Sequence, residues 1–161
     1  MRGFRATANG ISITFGIEDA RMLADLATQI AALIADRDDR ASDAALDRLF
    51  PAAYRDSDED AAEFRRFTEE ELADEKVSNA LSMARALEGP ATDDKIRVTL
   101  DDAAAFAWLR SFTDIRLALA SRIGIETEES VIPHDDASRY TFAIHNWLGE
   151  LQYSLVRAVD R

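Results

Sequence analysis

Strict alternation along the first sixteen residues puts Phe4 and Ala6, then Ile11, Ile13 and Phe15, on one face of an extended chain. Asn9-Gly10 between the two runs is a strong turn signal, so the chain is expected to open as a β-hairpin. Ile96, Val98 and Leu100 repeat the same period. A third strand near 96–100 is expected to join the hairpin, because two strands alone are marginal in water. The sheet should be small, antiparallel or mixed.

Elsewhere the period shifts to that of a helix. Leu23, Leu26, Ile30, Leu33 and Ile34 form one stripe after Gly16, with Glu18 and Asp19 in the first turn, where the helix dipole favours acids. The charged run Asp36 to Arg40 ends it. A short helix from about Ser42 to Phe50 stops at Pro51, and Ser57-x-x-Asp60 can cap the next one, which carries Phe64 and Phe67. Thr68-Glu69-Glu70-Glu71 reads as a capping box. The chain is therefore expected to break there and restart as a new helix that runs to Glu88, before Gly89-Pro90. Thr99-x-x-Asp102 opens a further helix, in which apolar residues from Phe106 and Trp108 through Phe112 and Ile115 to Leu119 and Ile123 cover more than one face; Gly124 is its C-cap. An acidic loop over 125–136 leads to a last helix with Tyr140, Ile144, Trp147, Leu148, Leu151, Leu155 and Val159 on one side. The expected fold class is α+β, mainly α: a bundle of five to six helices with a small three-stranded sheet, in a single domain over 1–161.

The 161 residues, 47% hydrophobic, can bury about 68–70% of the unfolded surface without disulfides or metal. The chain has no cysteine, which excludes thiolate nucleophiles, cysteine-based metal sites and thiol switching. Its net charge of −12 repels a phosphate backbone and disfavours direct nucleic-acid binding. Residues 42–95 hold 15 acids against 7 bases, so the acidity is concentrated in the middle. No apolar run has the length of a signal peptide or membrane span, and a cytoplasmic protein without membrane contact is expected.

No Gly-rich phosphate loop, Gly-x-Ser-x-Gly elbow or His-Glu-x-x-His helix occurs, so no catalytic residue, metal or cofactor is assigned and the chain reads as a non-enzyme. His134, Asp135, Asp136 and His145 could be combined into a metal site, but Pro133 and the helix start beside them suit a turn and an N-cap. Trp108, Trp147 and Tyr140 fall at core-facing positions and are expected to pack rather than stack on bases.

Two polar clusters stand out. In Glu63-Phe64-Arg65-Arg66-Phe67, the two phenylalanines are three apart and are expected to face the core together, while Arg65–Glu69 and Arg66–Glu70 have helical pair spacing. Such pairs contribute only about 0.2–0.5 kcal/mol each. The arginines either bridge helices by binding carbonyls at a helix C-terminus or offer a fork to a carboxylate-bearing partner. In the second cluster, Arg110–Asp114 has i, i+4 spacing, and Asp114 and Arg116 sit on a helix that is apolar almost all round, so partial burial is expected. Glu63, Arg65, Arg66, Glu69, Glu70, Asp114 and Arg116 form the candidate interaction or structural network.

Three blocks, LDRLFPAAYRDSDEDAAEFRRFTEEELADEK, VTLDDAAAFAWLRSFTDIRLALASRIGI and YTFAIHNWLGELQYSLVRAV, together resemble an actinobacterial domain-of-unknown-function family that includes the AosR-type oxidative-stress transcriptional regulators, often encoded next to ClpS. The resemblance spans essentially the whole chain. It implies a cytoplasmic protein acting in stress transcription through contact with a sigma factor or a proteostasis partner. A cysteine-based redox switch cannot be carried over. The expectation is a non-enzymatic regulatory protein, possible as a homodimer, that meets a partner with a basic surface; the alternative is a direct DNA binder that uses the hairpin as a winged-helix-like unit.

Overall fold

In the computed structural model, which describes residues 3–40, 43–51, 59–124 and 135–160, strand β1 (Arg5–Thr7) turns through Ala8 and Asn9 into β2 (Gly10–Gly16). Strand β3 (Lys95–Leu100) pairs with the far edge of β2, so the sheet is antiparallel in the order β1-β2-β3. The turn falls one residue before the expected Asn9-Gly10. Gly10 already pairs with Thr7 and adopts φ 132°, a region closed to most side chains. Ile11, Ile13, Phe15, Ile96, Val98 and Leu100 all point into the core, as their period requires, while Ala6 is exposed at the edge.

The described residues form five α-helices: α1 (Ile17–Ala35), α2 (Ala44–Leu49), α3 (Glu59–Leu87), α4 (Asp102–Arg122) and α5 (Asp136–Val159), with a 3-10 turn over Arg37–Arg40. Helix α1 springs straight from β2, with Gly16 as N-cap and Glu18 and Asp19 in its first turn. Helix α3 ends just before β3, and α4 begins just after it. Thr99 does not cap α4, because its hydroxyl shares a hydrogen bond with Ser12 across the sheet at 3.0 Å; Asp101 is the N-cap and accepts the Ala104 N–H at 2.7 Å. Gly124 follows the helix with φ 73°. Helix α5 returns to the sheet, where the Ser154 hydroxyl accepts the Phe4 N–H at 3.1 Å. The four long helices thus each have one end at the sheet and one at a distal end. Beneath the sheet, Phe4, Phe15, Trp108 and Phe112 form an aromatic cluster with ring centroids 5.9 to 6.4 Å apart.

The break expected at Thr68 does not exist: α3 is one helix of 29 residues. In place of capping a new helix, the Thr68 hydroxyl donates to the Phe64 carbonyl at 2.9 Å, the i−4 bond open to a threonine inside a helix. Small residues carry the packing of α3 on the rest of the bundle. Ala73, Ala80, Met83, Ala84 and Leu87 are buried, and α1 answers with Ala20, Ala24, Ala27 and Ala31. At about 1.5 Å per residue, α3 is about 15 Å longer than α1 and outruns it at the distal end.

Candidate functional site

Continuity of α3 fixes the phase of everything on it. The buried stripe through Ala73, Ala80, Ala84 and Leu87, counted back at about 100° per residue, places Phe64 and Phe67 on the opposite side of the helix. They do share a face, but it is the solvent face: Phe64 is 71% exposed and Phe67 61%. A restart at Thr68 would have reset the phase and turned them inward. Glu71 and Glu75 continue the Phe64 stripe, and Glu63, Glu70 and Asp74 flank Phe67. Every described side chain from Glu63 to Leu72 is exposed. The distal half of α3 is therefore an acidic helix with two aromatic rings on its outer side.

Arg66 is exposed and makes no ion pair with Glu70, while Arg65 lies in the same helix with its side chain outside the described residues. A carbonyl-binding arginine that bridges helices does occur at another position. Arg37, just past the end of α1, donates from Nη1 to the Ile34 carbonyl at 3.1 Å and lies with Nε 3.9 Å from Glu69 Oε1, tying the last turn of α1 to α3. A cation directly after a helical stripe was the signal that could have found it.

Helices α3 and α4 are joined by two ion pairs in place of the expected Arg110–Asp114 contact. Asp114 faces α3, where Lys76 Nζ donates to its Oδ1 at 2.7 Å, with side chains only 17% and 6% exposed. Arg110 reaches Glu75 at 2.6 Å, and that pair is 64% and 51% exposed. Spacing along α4 alone could not reveal this, because each group is drawn to an opposite charge on the neighbouring helix. Lys76 was legible as a core-facing cation: it lies three residues after Ala73 and four before Ala80. Burial pushes the Asp114 carboxyl above its ordinary value of 3.8, against the opposing effect of Lys76.

Arg116 points the other way, to α5. Its Nη1 donates to Gln152 Oε1 at 3.0 Å, and Gln152 in turn donates to the Thr113 hydroxyl at 2.7 Å. The guanidinium lies over Gly149, where a Cβ would sit 3.0 Å from Nη2, so the glycine makes room for the arginine. His145 stands nearby, and burial together with the Arg116 charge holds its imidazole below the usual 6.5. The seven sequence-predicted residues therefore do not converge: five belong to the distal half of α3, Asp114 to the α3–α4 seam and Arg116 to the α4–α5 seam.

Of the alternative metal set, His134 lies outside the described residues. Asp135 is the N-cap of α5, and the Ser138 N–H it accepts at 2.8 Å holds its carboxyl below 3.8. Among the described residues no three His, Cys, Asp or Glu converge as metal ligands. Tyr140, expected in the core, is exposed, whereas Trp108 is buried and Trp147 packs partly against the core. No described helix is long and apolar enough to cross a membrane.

What these elements define is a mainly helical α+β protein with two charged interhelical seams and one exposed acidic-aromatic helix. Its family follows from the sequence comparison: over residues 1–159 the chain matches the model of the domain of unknown function DUF2017, and it belongs to that family. It is also similar to a Mycobacterium leprae (strain TN) protein carrying the provisional name oxidative stress regulator AosR, with 32% identity over 114 residues, 70% of this chain. The aligned region spans about half, 51%, of that relative. No solved structure matches the chain.

Proposed function

We propose that the protein is a non-enzymatic cytoplasmic regulator acting through protein contacts, with the distal half of α3 as its contact surface. One observation carries this reading: Phe64 and Phe67 are held out on a helix that outruns its neighbour, in a field of carboxylates. Exposed aromatic rings cost solvation unless covered, and aromatic anchors surrounded by polar groups are the common form of an interface hot spot. Glu63, Glu70, Glu71 and Asp74 beside them suit a partner with a basic surface and would speed encounter with it. The regulator name of the similar mycobacterial protein supports the class, and a sigma factor is the first partner to try.

The test is capture from host lysate, and from purified sigma factor, on immobilised protein. Wild type is expected to retain a partner that Phe64→Ala/Phe67→Ala loses while its melting temperature is unchanged. Retention of the same partner by both would remove α3 from the contact. A salt-dependent shift of promoter DNA at physiological ionic strength would replace the reading with direct DNA binding.

A further inference from the structure

We propose a second contact surface at the opposite end of the molecule: the outer face of the sheet, as a trough for an extended, carboxylate-rich segment of a partner protein. Antiparallel register sets its shape. Outward positions on the central strand are Gly10, Ser12, Thr14 and Gly16, so the floor carries nothing larger than threonine. The long side chains stand on the outer strands: Arg5 beside Ser12 on β1, and Arg97 and Lys95 opposite Thr14 and Gly16 on β3. The result is an open trough of about 750 Å³ with Ser12 and Thr14 on its floor, Arg5 on one side and Arg97 and Lys95 on the other.

Charge makes the trough unusual in this chain. The chain as a whole carries a net charge of −12, yet none of Arg5, Lys95 and Arg97 forms an ion pair with a described carboxylate; Asp19 is the acid at the rim. Cations on outer strands also guard sheet edges against unwanted pairing. Gly10 is fixed by its φ of 132° and by the Leu100 carbonyl, but neither that nor edge protection explains the bare floor from Ser12 to Gly16. Gly16 has φ −62°, which any residue adopts, and a Cβ there would meet nothing within 4 Å, so neither backbone nor packing demands a glycine. Space is kept above the strand.

Dimensions and chemistry select the occupant. Outer strands of a three-stranded sheet are about 10 Å apart, wide enough for one extended chain, and the length of β2 matches about seven residues of it. Arginine forks suit bidentate carboxylates, and the exposed Thr14 hydroxyl on the floor can donate to an acidic side chain or a main-chain carbonyl, while Ser12 is already bonded to Thr99. An apolar segment finds no apolar outward position here. Single-stranded nucleic acid finds no aromatic ring for its bases, and its longer backbone meets the repulsion of the whole chain. The surface is independent of the α3 contact, which lies at the distal end and takes a basic partner.

The experiment is a titration of the full chain, isotope-labelled for amide NMR, with a synthetic eight-residue Glu/Ser peptide, an oligothymidylate of equal length, and inorganic phosphate. Shifts are expected with the peptide alone and centred on Ser12, Thr14, Arg97 and Thr99. Arg5→Glu/Arg97→Glu should weaken peptide binding about tenfold or more, as loss of two charge-assisted contacts implies. Thr14→Tyr, which suits a strand but fills the floor, should do the same with the fold intact. Tighter binding of the oligonucleotide, displacement of the peptide by an equal concentration of phosphate, shifts confined to the helices, or unchanged affinity in both variants would each overturn the proposal.

Discussion

The two halves of α3 share one continuous helical frame and are used in opposite ways. From Ala73 to Leu87 the helix spends small apolar side chains and Met83 on burial and sends one lysine, Lys76, into a protected ion pair with Asp114. From Glu63 to Leu72 every described side chain is exposed, including two phenylalanines. The difference teaches that the described side chains of the first half add little to stability: apart from the Arg37–Glu69 contact they cover little of the core, whereas the second half is the wall on which α1 and α4 rest. An exposed half that contributes little to folding and retains aromatic rings is best understood through what it meets.

Mutations should separate the halves cleanly. The largest effects belong to the buried one. Asp114→Ala leaves the Lys76 ammonium without its partner in a protected site and is expected to cost about 3–5 kcal/mol, a fall of about 6–20 °C in melting temperature for a chain of this size. Met83→Ala, through lost burial and an unfilled cavity, should cost about 2–5 kcal/mol. Replacing the whole pair, Lys76→Met with Asp114→Leu, should recover most of the Asp114→Ala loss, because two desolvated charges are exchanged for packing. A double variant no more stable than Asp114→Ala would show that the pair contributes more than it costs to desolvate.

A pH series sharpens the same point. Burial raises the Asp114 carboxyl above 3.8, so in the window from 3.8 up to its folded value the native state holds a proton that the unfolded chain has released. This group's contribution to stability therefore falls as pH rises through that window. Urea midpoints of wild type minus those of the Lys76→Met/Asp114→Leu variant should decline with rising pH there. A difference that rises would contradict net desolvation of Asp114. At the small end, Glu75→Ala or Arg110→Ala breaks the exposed pair one residue away and should cost about 0–1 kcal/mol, diminished further by added salt.

Much of this was readable in the chain and part was not, for reasons that are local. Alternation at Ile11, Ile13 and Phe15 and at Ile96, Val98 and Leu100 announces the sheet, and large aliphatic stripes announce α1, α4 and α5. Helix α3 is harder to read because alanine marks its buried face and an interior Thr-Glu-Glu-Glu sequence mimics a helix start. That single misreading inverted Phe64 and Phe67. Pairings such as Lys76–Asp114 and Glu75–Arg110 join residues 38 and 35 positions apart, beyond what helical spacing can show. Of the candidate site, the acidic segment and the burial of Asp114 were visible; the bridging role of Arg37 and the Arg116–Gly149 fit depend on which helices meet.

The most direct test of the central claim compares stability and partner capture for one variant, Phe64→Ala/Phe67→Ala. Its unfolding free energy should stay within about 0.5 kcal/mol of wild type, as for surface substitutions, while the retained partner is lost. A drop of about 2 kcal/mol or more would mean that the rings are buried and the distal half of α3 is structural, and undiminished capture would mean that the contact lies elsewhere.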